Sequence, residues 1–236
     1  MWIENGPVGQ IPVVTLDGPA GSGKGTISRL LAEKLGWHLL DSGLIYRAVA
    51  WVVIEQQLKL EDLPALISVA SKLTVEHTLS GAQEQVIVNG HEVTSLIRQG
   101  QYGQLASQLA VVPALREALL DYQRSQWRLP GLVADGRDMG SVVFPEAPLK
   151  IFLTADLAIR AGRRFAQLRA AGHATDFSTV LAGLRKRDQR DQWREVAPLK
   201  ATTDAVVIDT TILDIATTLA KVMALVETRQ LGFSEH

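Results

Sequence analysis

The sequence feature that most constrains the fold is a glycine-rich stretch, residues 18–26, which reads Gly-Pro-Ala-Gly-Ser-Gly-Lys-Gly-Thr. It follows a short apolar run, residues 11–16, that predicts a buried β-strand. It precedes a helical pattern of apolar residues that ends at Gly36. Glycines allow backbone N–H groups to turn toward a bound anion, and a helix N-terminus adds partial positive charge. The sequence therefore predicts a phosphate-binding loop at residues 18–26.

The lysine of this loop, Lys24, has the spacing from Gly18 that lets its ammonium group reach the β- and γ-phosphates of a nucleotide. Gly25 stands where serine or threonine usually follows this lysine, and Thr26 comes one residue later. Because glycine offers no hydroxyl, we expect a magnesium ion here to be held through water.

Composition narrows the possible functions of the 236-residue chain. Twenty-four basic and 25 acidic residues give a net charge of −1, which argues against binding to nucleic acids or membrane surfaces. The absence of cysteine excludes disulfides and thiolate metal sites. No apolar run approaches the roughly 18 residues of a membrane helix, and the first residues lack the pattern of a signal peptide. We therefore predict a cytoplasmic protein.

Apolar runs and helical patterns alternate along much of the chain. Runs at residues 37–40, 131–135, 149–153 and 205–208 predict four strands in addition to the first. A closing helix is predicted over residues 211–229. Strands joined by helical crossovers predict an α/β fold, with a five-stranded parallel sheet and helices on both faces.

Residues 62–100 have a different character. A short helical pattern at residues 63–71 is followed by alternating polar and apolar residues, with turn signals at Gly81 and at Asn89-Gly90. This pattern predicts a small antiparallel sheet inserted into the parallel-sheet domain. Further helices are predicted at residues 95–99, 104–110 and 111–127.

Polar side chains follow the second predicted strand. Asp41 and Ser42 come directly after it, and Ser42 is the predicted N-cap of a helix that begins at Leu44. Tyr46 and Arg47 lie one turn into this helix. Because ligands bind at the carboxyl ends of strands in open α/β sheets, we expect these side chains to contact a ligand.

The third predicted strand ends in Asp135. A buried strand that delivers an aspartate beside a phosphate loop is the arrangement in which the carboxylate orients magnesium or its waters. Arg137 and Asp138 follow at the edge expected to face the ligand. The segment therefore combines a candidate metal contact with a candidate phosphate contact.

An arginine-rich region follows the fourth strand. Helices are predicted at residues 156–169 and 176–194, and Arg187, Asp191 and Arg194 have the i, i+4, i+7 spacing of one helix face. A run of charges is by default a solvated, salt-bridged surface. Bound phosphates would give the same arginines a partner, and we interpret the region as a basic helical lid.

A phosphate loop is shared by kinases, GTPases and motor ATPases. The guanine-reading motif Asn-Lys-x-Asp is absent, since the chain has only two asparagines, Asn5 and Asn89, and neither fits. The small size argues against a motor. A small kinase agrees best with a site rich in arginine, because an acceptor phosphate is already anionic and needs charge neutralisation rather than a general base.

The chain resembles the bacterial cytidylate kinases, which are nucleoside monophosphate kinases with a P-loop NTPase fold, from Val13 to about Ile208. The resemblance is carried by motifs in the same order: Asp17-Gly18-Pro19 with Gly21-Ser22-Gly23-Lys24-Gly25-Thr26, Leu40-Asp41-Ser42-Gly43 with Ile45-Tyr46-Arg47, Arg116-Glu117-Ala118-Leu119-Leu120, Ala134-Asp135-Gly136-Arg137-Asp138-Met139-Gly140 with Val142-Val143-Phe144-Pro145, and Arg187-Asp188 with Arg190-Asp191 through Ala197-Pro198-Leu199.

The resemblance implies the transfer of phosphate from ATP to CMP or dCMP with Mg²⁺, by a monomer that binds neither nucleic acid nor membrane. It implies that Arg47, Arg137 and Arg194 hold the acceptor and transferring phosphates, with Lys24, Arg137 and Arg194 acting in catalysis. The implied ATP contacts are Gly18, Pro19, Ala20, Gly21, Ser22, Gly23, Lys24, Gly25 and Thr26. The implied CMP contacts are Ser42, Tyr46, Arg47, Ser107, Arg116, Arg137, Asp138, Arg187, Asp191 and Arg194, and Asp135 is the implied metal contact through water.

Within the CMP site, the resemblance implies that Ser107, Arg116 and Asp138 face the cytosine and that Arg187 and Asp191 contact the sugar. It also implies a division of the chain into core, acceptor-binding and lid segments. The core comprises residues 1–61, 113–155 and 196–236, the monophosphate-binding insertion residues 62–112, and the lid residues 156–195.

Two other functions stay open from the sequence. One is a different small-molecule kinase of the same fold, such as a shikimate-type or adenylate-type enzyme, which substrate profiling would separate. The other is a nucleotide-binding regulatory or RNA-associated protein that uses the basic helix as a docking surface. The near-neutral net charge counts against the second.

Overall fold

The computed structural model describes residues 11–80 and 83–231. The strands are β1 (Val13–Asp17), β2 (His38–Asp41), β3 (Val75–Ser80), β4 (Gln83–Val88), β5 (His91–Glu92), β6 (Leu132–Gly136), β7 (Leu149–Thr154) and β8 (Val206–Asp209). The α-helices are α1 (Lys24–Leu35), α2 (Ser42–Glu55), α3 (Leu63–Lys72), α4 (Thr94–Ile97), α5 (Gly100–Leu109), α6 (Pro113–Ser125), α7 (Leu157–Ala170), α8 (Phe177–Trp193) and α9 (Ile215–Thr228).

The chain divides into two compact units, which are described separately. The first contains the described residues up to Leu40, then Arg124–Gln192, and the described residues from Ala197 onward. The second contains the described parts of Asp41–Gln123, together with Trp193–Val196. Within the described ranges, no helix is both long enough and apolar enough to cross a membrane.

The predicted five-stranded parallel sheet is confirmed, with the strand order β2-β6-β1-β7-β8. Strand β1 lies at its centre and pairs in parallel with β6 on one side and β7 on the other. All five residues of β1 are buried, as expected for a parallel strand that is covered on both faces. Since Asp17 lies opposite Gly136, β1 and β6 end side by side at one edge of the sheet.

Helices α1 and α9 pack against this sheet through a shared apolar core. Ile27 and Leu31 of α1 are buried against strand residues that include Leu16, and Val222 and Val226 of α9 join the same cluster. The spacing of these side chains places each pair on one face of its helix. The phosphate loop therefore connects two elements, β1 and α1, that are both fixed by burial.

The second unit contains the predicted antiparallel sheet, with the order β3-β4-β5. Val75 lies opposite Val88, and Val88 lies opposite His91. The Asn89-Gly90 turn is confirmed, with positive φ angles of 49° and 82°. The other predicted turn residue, Gly81, lies outside the described residues.

Two local features differ from the expectations or were not foreseen. The prediction that Ser42 caps α2 is wrong, because Asp41 is the N-cap and its Oδ1 accepts the Leu44 N–H at 2.9 Å. A carboxylate so placed also complements the positive end of the helix. A short π-helical segment at Met139–Val143 was not predicted, because its wide hydrogen bonds, such as Phe144 N–H to Met139 O at 2.7 Å, have no recognisable sequence period.

Gly131, which precedes β6, offers a test of the packing. A Cβ added there would lie 2.4 Å from Cδ2 of the buried Trp37 ring. We expect Gly131→Ala to lower the free energy of unfolding by about 1–3 kcal/mol, because the indole and the strand must move apart. Urea denaturation followed by circular dichroism measures the change.

Gly162→Ala is the matched control for this substitution. Gly162 lies inside α7 with nothing within 4 Å of an added Cβ. Alanine there should be neutral or stabilise the protein by up to about 1 kcal/mol, through helix propensity. An unfolding midpoint of Gly131→Ala equal to that of the parent would contradict the tight contact with Trp37.

Candidate active site

The glycine-rich loop connects β1 to α1 at the edge of the parallel sheet. Gly18 has a φ of +144°, and an added Cβ would lie 2.0 Å from the Leu153 carbonyl oxygen of β7. Only glycine fits that position, because both the backbone conformation and the space exclude a side chain. The loop can therefore start immediately beside β7.

The N-terminus of α1 has no capping hydrogen bond from the side chain of its N-cap residue. Its N-cap, Gly23, has a left-handed conformation with a φ of 94°, and no acidic residue lies in the first turn. The first-turn N–H groups of a helix have no partner within the helix, and together with the helix dipole they form an anion site. The local structure of residues 18–26 thus suits the binding of phosphate.

Lys24 lies inside the loop it belongs to. Its Nζ donates a hydrogen bond to the Pro19 carbonyl oxygen at 3.2 Å and lies 3.9 Å from Oδ1 of Asp135. Burial, followed by the positive charge of Arg137, lowers the pKa of Lys24 to about 8, while Asp135 opposes the shift. An anionic phosphate nearby would favour the charged ammonium. The structure therefore brings together two predicted site residues, Lys24 and Asp135.

Asp135 and Gly25 are close enough to test a magnesium site. A Cβ added at Gly25 would lie 3.4 Å from Oδ2 of Asp135, so the missing hydroxyl position adjoins the carboxylate. Across the described ranges, no group of three or more His, Asp or Glu side chains could hold a metal. Magnesium bound with a nucleotide usually takes one or two carboxylates and completes its shell with water and phosphate oxygens. The residues present fit that mode of binding.

Arg137 directly follows β6, and its guanidinium donates to two acceptors. Its Nε donates to Oδ2 of Asp191 on α8 at 2.9 Å, and its Nη1 donates to the Gly136 carbonyl oxygen at 3.2 Å. Arg187 also approaches Asp191, with 4.0 Å between Nε and Oδ2. Burial opposes the charge of Arg137, but Asp191 outweighs it and raises the pKa of the guanidinium. Three predicted contacts, Arg137, Arg187 and Asp191, therefore meet in the first unit.

The remaining predicted contact of the first unit is Asp138, which is 3% exposed and directly precedes the π-helical segment. Asp17, to which the sequence assigned no role in the site, reaches the same segment. Its Oδ1 accepts the Met139 N–H and its Oδ2 accepts the Gly140 N–H, both at 2.8 Å. A polar residue at the end of a buried strand was the signal that could have singled it out.

The second unit contains the other side chains that were predicted to contact CMP. Nη1 of Arg116 donates to the Tyr46 hydroxyl at 3.3 Å, so these two predicted contacts meet. Nη1 of Arg47 donates to the Ile97 carbonyl oxygen at 2.9 Å, and Ser42 donates to Oε1 of Gln123 at 2.9 Å. Ser107 and Arg194 are buried in the same unit, and Arg194 lies just beyond the last residue of α8.

Helices α7 and α8 are joined by a buried ion pair. Nη2 of Arg160 lies 2.7 Å from Oδ2 of Asp188. The same guanidinium donates from Nη1 to the Ala20 carbonyl oxygen at 3.1 Å and from Nε to the Ala155 carbonyl oxygen at 2.9 Å. One arginine therefore links the phosphate loop, the end of β7 and the second helix of the basic region.

Comparison with known proteins identifies the family. The profile of the family described as cytidylate kinase matches residues 14–228. A cytidylate kinase from Aeromonas salmonicida is 49% identical over 94% of this chain and 96% of its own length. One from Pseudomonas aeruginosa is 49% identical over 88% of this chain and 91% of its own length. The chain belongs to the cytidylate kinase family.

Membership in the cytidylate kinase family makes the protein a kinase, an enzyme that transfers a phosphoryl group, and the family uses ATP as the donor. Among solved structures, an uncharacterised protein from Eubacterium ventriosum superposes with a TM-score of 0.51 at 12% identity, over 92% of this chain and 99% of the other. At that identity the likeness concerns the fold alone.

Lys24→Met tests the phosphate loop of this cytidylate kinase family member. The substitution keeps a long side chain but removes the ammonium group, so the fold should survive while charge on the transferring phosphoryl group goes uncompensated. We expect turnover to fall by about 10²–10³-fold or more. A coupled assay of ADP formation with a nucleotide acceptor measures it.

Lys34→Met provides the control, because Lys34 lies exposed in the last turn of the same helix. It should leave turnover unchanged. Near-normal turnover of a folded Lys24→Met protein would remove Lys24 from the chemistry.

Proposed function

We propose that the protein transfers the γ-phosphoryl group of ATP to CMP and dCMP, which yields ADP with CDP or dCDP. The observation that carries the proposal is the similarity to cytidylate kinases across 94% of the chain, which includes every residue proposed below to bind a substrate. The buried cluster of Lys24, Asp135, Arg137 and Asp191 supports it, because it has the charges that phosphoryl transfer requires.

The proposed chemistry depends on alignment and charge neutralisation. An acceptor phosphate oxygen is anionic at neutral pH, so no general base is needed to activate it. Mg²⁺, held by Asp135 through water and by the nucleotide, would neutralise phosphate charge. The Lys24 ammonium would stabilise the negative charge that develops on the γ-phosphoryl group during transfer. Since Asp191 and the Gly136 carbonyl fix the plane of Arg137, its remaining N–H groups can face the transferring phosphate.

The proposed CMP contacts are the side chains that the similarity to cytidylate kinases implies. Arg47 and Arg194 would bind the phosphate of CMP together with Arg137. Ser107, Arg116 and Asp138 would face the cytosine, and Arg187 and Asp191 the sugar. Ser42 and Tyr46 complete the proposed set. We further propose that the enzyme works as a monomer in the cytoplasm.

Base selectivity follows from the donors and acceptors of the proposed partners. Cytosine presents an amino donor beside a ring-nitrogen acceptor, whereas uracil presents a carbonyl and an N–H in their place. A carboxylate can only accept and a guanidinium can only donate, so Asp138 and Arg116 match cytosine and oppose uracil. Unpaired buried polar groups cost about 1–3 kcal/mol each, which predicts a CMP preference over UMP of roughly 10- to 1,000-fold in kcat/KM.

A panel of nucleoside monophosphates and shikimate with ATP and Mg²⁺, followed by product analysis, tests the proposal. Phosphorylation of another acceptor in place of CMP would overturn the proposal.

Asp138→Ala should lower CMP activity and also shrink the CMP to UMP ratio. A ratio that stays constant while activity falls would show that Asp138 positions the site and that selectivity arises at Ser107 and Arg116.

We also propose that residues 156–195 act as a lid and that residues 62–112 form the monophosphate-binding insertion. Closure of a lid excludes water while both nucleotides are bound. Hydrogen exchange of α8 should therefore slow when CMP and a non-hydrolysable ATP analogue are added together. Helix α9, which packs in the apolar core, is the internal reference. Unchanged exchange in α8 would mean that it is a fixed surface helix.

A further inference from the structure

Asp17 links the phosphate loop to the segment that contains Arg137 and Asp138. It is the last residue of β1, and the next residue, Gly18, begins the loop. Only 7% of Asp17 is exposed, and both of its carboxylate oxygens accept backbone N–H groups, from Met139 and Gly140, at 2.8 Å. Hydrogen bonds to a charged acceptor are about twice as strong as neutral ones.

The same residue holds the segment on its other side. The backbone of Asp17 lies opposite Gly136 in the parallel pairing of β1 with β6. Arg137 and Asp138 are the two residues between Gly136 and Met139. Asp17 therefore restrains both ends of this span, with its main chain at one end and its carboxylate at the other.

The packing around the span leaves little room for adjustment. A Cβ added at Gly140 would lie 2.8 Å from Oγ1 of Thr15 on β1, and one added at Gly136 would lie 2.7 Å from Cγ of Met139. A backbone this close to its neighbours transmits a small displacement directly to the side chains it bears. A shift at Met139 would thus reorient Arg137 and Asp138.

The charged form of Asp17 is costly in this position. Burial raises the pKa of Asp17 to about 6, and the hydrogen bonds from Gly140 and Met139 only partly oppose that shift. Asp138 raises it further, while Lys24 lowers it. Because burying this charge is costly, the two hydrogen bonds of Asp17 contribute little net stability. What they do is orient the backbone of Met139 and Gly140.

We propose that Asp17 is a positioning residue, which sets the orientation of Arg137 toward the transferring phosphate and of Asp138 toward the base. This inference rests on the proposed function, since it concerns the placement of two residues assigned there. It predicts that Asp17 affects catalysis and base selectivity without contacting CMP.

Asp17→Asn is the test, because it keeps the shape of the side chain. The amide oxygen of asparagine can accept one of the two backbone N–H groups. The amide nitrogen would face the other N–H, and two donors cannot form a hydrogen bond with each other. We expect kcat/KM for CMP to fall by about 10- to 100-fold and the CMP to UMP ratio to shrink. The affinity for an ATP analogue should stay within about twofold, since residues 18–26 keep their own contacts.

Asp214→Asn is the matched control, because it makes the same chemical change at a carboxylate outside the segment. Asp214 is the exposed N-cap of α9, and its Oδ1 accepts the Thr217 N–H at 2.7 Å. Asparagine caps a helix about as well as aspartate, so the fold should be kept. The kinetics of this variant and its CMP to UMP ratio should match those of the parent.

The outcomes separate this inference from the proposed function. If the parent phosphorylates CMP and a folded Asp17→Asn protein keeps both kcat/KM and the CMP to UMP ratio within twofold, the inference is overturned and the function stands. If the parent does not phosphorylate CMP, the proposed function itself fails.

If the Asp17→Asn protein does not fold, Asp17→Thr is measured in the same way, because threonine suits a strand and its hydroxyl can accept one N–H. If neither variant folds, Asp17 is needed for stability and the inference is overturned.

Discussion

The pairing of β1 with β6 is the constraint on which the site of the first unit depends. Leu16 lies opposite Asp135, and Asp17 lies opposite Gly136. Because the strands are parallel and in this register, the phosphate loop and the Asp135–Asp138 segment begin side by side. A slip of one residue would move every side chain of one strand to the other face and separate Lys24 from Asp135. The register is held by buried apolar residues such as Val14 and Val133.

Around that edge the protein concentrates charges of both signs in a buried place. Lys24 lies near Asp135, and Arg137 is paired with Asp191. Each ion is costly to bury alone, but opposite charges at these distances compensate one another. Charges fixed by such contacts need little reorganisation when phosphate charge shifts during transfer. In the proposed reaction, the buried cluster would therefore serve catalysis more than stability.

Arg160 connects the phosphate loop to the basic helices α7 and α8. Its guanidinium contacts Ala20 of the phosphate loop and Asp188 of α8, so the lid proposed for residues 156–195 is connected to the site that it would cover. The default interpretation of a charged run as a solvated surface describes α8 only in part. Arg187 is half-buried, whereas Asp188 and Asp191 are buried and paired. Their burial shows that this face of α8 packs against the protein rather than against solvent.

The sequence by itself determined the strands, most helices and the phosphate loop, because apolar periodicity and glycine spacing are local properties of the chain. It also singled out Lys24, Asp135 and Arg137 as candidate site residues, because residues that follow buried parallel strands lie at one edge of the sheet. Only the tertiary structure decided that Asp41 caps α2, that residues 139–143 form a π-helical segment, and that Asp17 accepts hydrogen bonds from it. Those contacts join residues that are distant in sequence, such as Asp17 and Met139, or depend on competition between neighbouring side chains, such as Asp41 and Ser42. No local pattern specifies the contacts of Asp17, because they are fixed only when the sheet register and the packing of the core are complete.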